Sequence, residues 1–169
     1  MSKKEENQAK TGGWRGYVTS RPFGGLHIPV PVQNLILRDF TSRNKLQYKL
    51  PPNEFVMQGC YMQLEGILAE LPRLDGLVMS SIFMLPVDNK KRHVIFETIF
   101  NAGARIGFAL EDILLSSVNE TVDIENKLSS YHLLQECPQK IALGPMPIPD
   151  ALKVPGWTVP AGNDWNPSN

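Results

Sequence analysis

GYVTSRPF (residues 16–23), DGLVMSSIFMLP (75–86) and IGFALEDI (106–113) decide the fold class of this chain. Each is a short apolar run of β-type residues that ends abruptly in polar side chains: Ser20 and Arg21, Ser80 and Ser81, Glu111 and Asp112. Strands of this kind, laid parallel, bring hydroxyls, a guanidinium and carboxylates to one end of a sheet, where open α/β proteins bind ligands. The pattern locates a site without naming a reaction.

Outward from these runs the order reads β-α-β-α-β-α-β-α. Residues 14–20 form the first strand, and Pro31 opens a helix on which Val32, Leu35, Ile36 and Phe40 recur at helical spacing. A short second strand, 46–50, is stopped by Pro51 and Pro52. Tyr61, Leu64, Ile67, Leu68 and Leu71 make one stripe of a second helix that closes at Pro72. Residues 77–85 read as a third strand buried on both faces. A third helix runs from about Asp88 to Asn101, with Gly103 as a left-handed stop; 104–110 is the fourth strand, and Asn119 caps a fourth helix carrying Ile124, Leu128 and Tyr131. Strands alternating with single helices imply right-handed crossovers and an α/β three-layer sandwich around a small, mainly parallel four-stranded sheet.

Composition bounds the function. A chain of 169 residues that is 42% hydrophobic can bury one proper core. Lysine plus arginine and aspartate plus glutamate each total 17, so no global field draws the chain to nucleic acid. Cys60 and Cys137 share no zinc-type spacing and favour a reducing compartment. With no long apolar run or signal-type segment, the expectation is a soluble cytoplasmic protein with no membrane partner. Three zones follow: a polar tail over 1–13, the α/β domain over 14–137 and a proline-rich arm over 138–169. The arm holds Trp157 and Trp165 and reads either as a flexible end or as an extended segment docked on its own domain or on a second subunit of a homo-oligomer.

GYVTS, Gln33, DGLVMSSIFMLP and GARIGFALEDI resemble the catalytic domain of serine recombinases, the resolvase and invertase group, over about 16–113. The resemblance implies a resolvase-like topology. It also implies a nucleophilic serine and two arginines, and here the chain departs. Thr19 stands where the first-strand arginine belongs, Ser20 comes one step early, and Phe83, Met84 and Val87 take the places of the family's aspartate and both arginines. Phosphoryl transfer rests on cations around the non-bridging oxygens, so DNA strand exchange is not expected. A closer match joins GYVTSRPFGGLHIPVPVQNLILRDFTSRN with the later MLP and FALEDI: these resemble the sporadic carbohydrate cluster proteins, which occur beside genes for bacterial surface polysaccharide and sugar biosynthesis. That likeness implies a role in making or modifying a carbohydrate and carries over no catalytic residue.

The candidate residues are therefore weighed by their own chemistry. After the first strand, Gly24 and Gly25 permit close backbone approach and Arg21 can pair with a phosphate or carboxylate. Ser20 stands beside it, and His27 in the same loop can act as acid or base. Gln33, Asn34 and Arg38 begin the next helix, with some of them structural. Glu54 and Glu111 end two strands and are the carboxylates for acid/base work, Glu111 alternatively being a helix-end partner. Ser80 and Ser81 alternate faces, one toward a pocket and one into the core; neither sits in a GxSxG elbow. No GxGxxG or GxxxxGK loop and no metal-ligand spacing is present, so neither cofactor nor metal is expected. The catalytic candidates are Ser20, Glu54 and Glu111, the ligand a small sugar or sugar phosphate. The alternative is a non-catalytic binding or assembly partner of a glycan-biosynthesis enzyme.

Overall fold

The computed structural model describes residues 12–57 and 59–137. The elements run β1 (Trp14–Thr19), α1 (Val30–Arg43), β2 (Tyr48–Lys49), β3 (Asn53–Glu54), α2 (Met62–Glu70), β4 (Gly76–Met79), α3 (Asn89–Asn101), β5 (Arg105–Phe108), β6 (Ile113–Leu115) and α4 (Thr121–Glu136), with short 3₁₀ turns at 71–73, 82–84 and 118–120. Spatial order in the sheet is β2-β1-β4-β5-β6, with β3 also against β1. Every pairing is parallel except that of β5 with β6. The mainly parallel α/β sandwich expected from the alternating pattern is present. No helix among the described residues is long and apolar enough to cross a membrane.

Alternating side chains divide the sheet between two cores. On one face Tyr17, Leu77, Met79, Ile106 and Phe108 pack with Leu64 and Ile67 of α2, Ile95, Phe96 and Ile99 of α3, and Ile124 and Leu128 of α4. On the other, Trp14, Val18 and Val78 meet Leu37 and Phe40 of α1. Glycines make this second layer thin. A Cβ on Gly76 would fall 2.7 Å from the Trp14 ring, one on Gly107 2.8 Å from Phe40, and one on Gly16 2.8 Å from the Tyr48 hydroxyl. The rings occupy space that other residues would fill, and the Arg105 guanidinium covers Trp14 from outside, 5.0 Å from its centroid.

Four details differ from the sequence reading. The second strand does not end at the prolines: Pro51 and Pro52 interrupt it, and Asn53–Glu54 resumes parallel pairing with Val18 and Thr19. Proline is tolerated there because the strand lies at the edge. The third strand stops at Met79 rather than Leu85. Beyond it the Ser81 hydroxyl accepts a hydrogen bond from Phe83 N and turns the chain into a 3₁₀ helix whose Ile82 and Met84 are still buried. β6 is an added antiparallel edge, joined to β5 by a hairpin in which Asp112 has a positive φ of 53°. At the other end, Gly12 and Gly13 belong to the fold: Gly13 N donates to Asp75 Oδ2 at 2.6 Å, and Asp75 N donates back to Gly13 O at 3.0 Å. The other residues assigned to the tail, and the 138–169 arm with Trp157 and Trp165, lie outside the described residues.

Candidate functional site

At the carboxyl end of β1 the chain builds a buried polar network before it builds a pocket. Arg21 is only 9% exposed. Its Nη1 donates to Met57 O at 3.0 Å and Cys60 O at 2.6 Å, its Nη2 donates to the Tyr17 hydroxyl at 3.3 Å, and its plane covers the Tyr61 ring. Tyr17 in turn donates to Glu54 Oε2 at 3.2 Å. That oxygen also accepts from Gln63 N and Leu64 N, the first-turn amides of α2, while Oε1 accepts from Phe55 N. Glu54 therefore supplies the helix cap that Tyr61, at the cap position itself, cannot. Burial, reinforced by the neighbouring Glu54 charge, raises the Tyr17 phenol far above its ordinary range. Burial raises the Tyr61 phenol as well.

Gln33 performs a comparable structural task on the other face. Thr19 N donates to its Oε1 at 3.1 Å, and its Nε2 donates to Thr19 O at 2.6 Å and Ile28 O at 2.7 Å. One buried amide thus satisfies both backbone groups at the end of β1. Asn34 accepts from the Tyr48 hydroxyl and donates to Val30 O. Burial pushes the Tyr48 phenol up to about 12. Arg38 and His27 are exposed, and Ser20 is half-buried with its hydroxyl accepting from Asn53 Nδ2.

The ends of β4 and β5 form a second cluster. Ser81 donates to Glu111 Oε1 at 2.6 Å, and Ile82 N donates to the same oxygen at 3.3 Å, so Glu111 caps the 3₁₀ turn. Ser80 and Ser81 are both buried, so neither hydroxyl lines open space. Glu111 Oε2 and Ser80 Oγ are buried without a hydrogen-bond partner among the described residues.

The principal cavity, about 690 Å³, opens among the loop after β1, residues 83–88, the start of α3 and the inner side of α4. Of the residues singled out from sequence, Arg21, Gly24 and Gly25 reach it; Ser20, His27, Gln33, Asn34, Arg38, Glu54, Ser80, Ser81 and Glu111 do not line it. Gly24 is required at its position: φ is +56° and a Cβ would lie 2.7 Å from the Phe83 ring. The polar residues that sequence reasoning missed are Asp88, Lys91, Arg92 and His132. Arg92 is already held, donating to both oxygens of Glu125 and to the Pro86 and Val87 carbonyls. Lys91 is exposed at the cavity wall. Tyr61, Phe83 and Tyr131 supply aromatic surface, the last two with ring centroids 4.6 Å apart. Among the described residues no group of three His, Cys, Asp or Glu side chains could hold a metal ion.

The arrangement can hold an anion at the exposed Lys91 against aromatic walls, with the charge of Arg21, itself engaged by Met57 O, Cys60 O and the Tyr17 hydroxyl, behind it. No protein-family model matches the chain, and no curated protein matches it. Among solved structures it is similar to the N-terminal catalytic domain of TP901-1 integrase, at 12% identity and a TM-score of 0.52, covering 72% of this chain and 96% of that one. A resolvase family site-specific recombinase from Streptococcus pneumoniae matches at 9% identity and a TM-score of 0.47, covering 73% of this chain and 95% of that one. At such identity the integrase likeness concerns the fold alone: this chain has the mixed α/β, mostly parallel fold of resolvase-like catalytic domains.

Proposed function

We propose that the chain acts in carbohydrate biosynthesis or modification, in a bacterial surface-glycan pathway, by binding an anionic sugar such as a sugar phosphate at the carboxyl ends of the strands. The observation that carries this reading is the 690 Å³ cavity, which sets Arg21, Lys91 and His132 beside the rings of Tyr61, Phe83 and Tyr131. Cations suit the anionic group; aromatic faces suit the apolar side of a sugar ring. The resemblance of GYVTSRPFGGLHIPVPVQNLILRDFTSRN to the sporadic carbohydrate cluster proteins supports the same pathway. Because Glu54 is engaged by five donors, the Cys60 thiol among them, and does not line the cavity, acid/base work there falls more readily to His132 or Asp88. DNA strand exchange is not part of the proposal, since Met84 and Val87 stand where the recombinase resemblance places arginines. The protein would work in the cytoplasm as a homo-oligomer.

A thermal-shift screen against sugar phosphates and nucleotide sugars tests this. A specific ligand at 100 times its Kd adds about 2.7 kcal/mol to stability, and Lys91→Glu should abolish that shift while leaving the ligand-free melting temperature in place. Absence of any shift at millimolar ligand overturns the reading. It then favours the assembly partner, which one observation supports: Phe55, Val56 and Met57 form a consecutive apolar run exposed by 51, 67 and 71%.

A further inference from the structure

A second cavity of about 350 Å³ adjoins the first, lying between α2 and α3. Gly59, Tyr61, Pro86 and Lys91 line both. Its floor is hydrocarbon: Leu64 and Ile95 are buried, Leu68 half-buried, and Val94 stands 59% exposed at the wall. Lys90 and Lys91 border it, with Glu65 as its carboxylate. A cationic chamber thus runs into an aliphatic groove across one shared lysine and one shared tyrosine.

We infer that the two cavities form a single bipartite site for an anionic amphiphile, a phosphorylated headgroup seated by Lys91, with the Arg21 charge behind it, and an aliphatic chain lying along Leu64, Leu68, Val94 and Ile95. The inference rests on the anion-binding reading above and extends it to the ligand's other half. Charge and apolar surface are complementary to such a molecule in the order in which it would lie. A nucleobase fits the groove less well, because base recognition relies on hydrogen bonds to the polar edges and the groove walls are mostly carbon. The exposure of Val94 is also accounted for, since a chain covering it removes apolar surface from water. Two sources share this chemistry, a soluble acylated or alkylated phosphate and a lipid-anchored one.

Calorimetric titration with butyl, hexyl and octyl phosphate, alongside glucose 1-phosphate, tests the inference on the full chain. Affinity should rise about two- to fourfold with each methylene. Val94→Gln, at an exposed position, should flatten that dependence while leaving glucose 1-phosphate binding unchanged, since it adds no charge beside Lys91; Lys91→Glu should weaken every ligand. Equal affinity for butyl and octyl phosphate, or a chain-length dependence that survives Val94→Gln, overturns the bipartite site even if glucose 1-phosphate binds. Octyl phosphate binding with the expected dependence and no glucose 1-phosphate binding keeps the bipartite site and removes the sugar reading. Failure of all four ligands removes both. Flotation with phosphatidic acid vesicles assigns the anchored source, and octyl phosphate binding without flotation assigns the soluble one.

Discussion

Replacing Glu54 by alanine should destabilise the protein rather than disarm it. The side chain is 1% exposed and accepts from Gln63 N and Leu64 N at the start of α2, from Phe55 N, and from the Tyr17 hydroxyl. Losing a helix cap costs about 1–2 kcal/mol. Leaving buried donors unsatisfied adds about 1–3 kcal/mol, more where a charge such as Arg21 loses a nearby opposite one. These terms overlap, so about 3–5 kcal/mol is expected, roughly 10–20 °C in melting temperature for a domain of this size. Glu54→Gln keeps one carbonyl acceptor and should cost about 1–2 kcal/mol. Urea unfolding followed by circular dichroism gives both values, and ligand titration below either transition should show affinity within twofold of the parent. An alanine variant less than 1 kcal/mol below the parent, or a stable Gln variant that loses all activity on a sugar substrate, would refute the capping argument and return Glu54 to catalysis.

Arg92 should prove structural despite lining the cavity. It is 4% exposed and pairs with both oxygens of Glu125, so Arg92→Leu should cost about 3–5 kcal/mol, and Arg92→Leu with Glu125→Leu should cost less than the single change in a double-mutant cycle. Purely additive losses would show that the pair is not coupled. Alkaline titration checks the buried phenols. The folded pKa values of Tyr17 and Tyr48 lie above the unfolded value, that of Tyr48 at about 12. Their contribution to stability is therefore full below about pH 10 and is lost as pH rises beyond it, when the unfolded chain releases protons that the folded chain keeps. Phenolate absorbance should lag that of the urea-unfolded chain until circular dichroism is lost; full phenolate absorbance from a still-folded protein contradicts this.

Sequence made the alternating architecture legible because strong local signals bound most elements. Pro31 opens α1, Asp88 caps α3, and Gly103, at φ 65°, follows the end of α3. The continuous apolar run after Met79 was misleading for a physical reason: Ile82 and Met84 are buried in a 3₁₀ turn, and burial alone does not distinguish that turn from a strand. β6 went unseen because three residues carry too little pattern. In the site, Arg21, Gly24 and Gly25 were legible from their place after β1. The role of Glu54 was not, because the amides it caps lie nine and ten residues further along the chain. Lys91 stands in no sequence motif, and only the fold places it at a cavity wall beside residues 83–88.

The broken outer strand has a consequence for how the molecule meets its own copies. At one margin the sheet offers two pairs of residues separated by Pro51 and Pro52, which have no N–H; at the other it offers the three residues of β6. Neither margin presents a ladder long enough to template another chain. Among the described residues, backbone-seeded growth toward fibrils is therefore discouraged at both margins of the sheet, and contact between copies of this sheet falls to side chains.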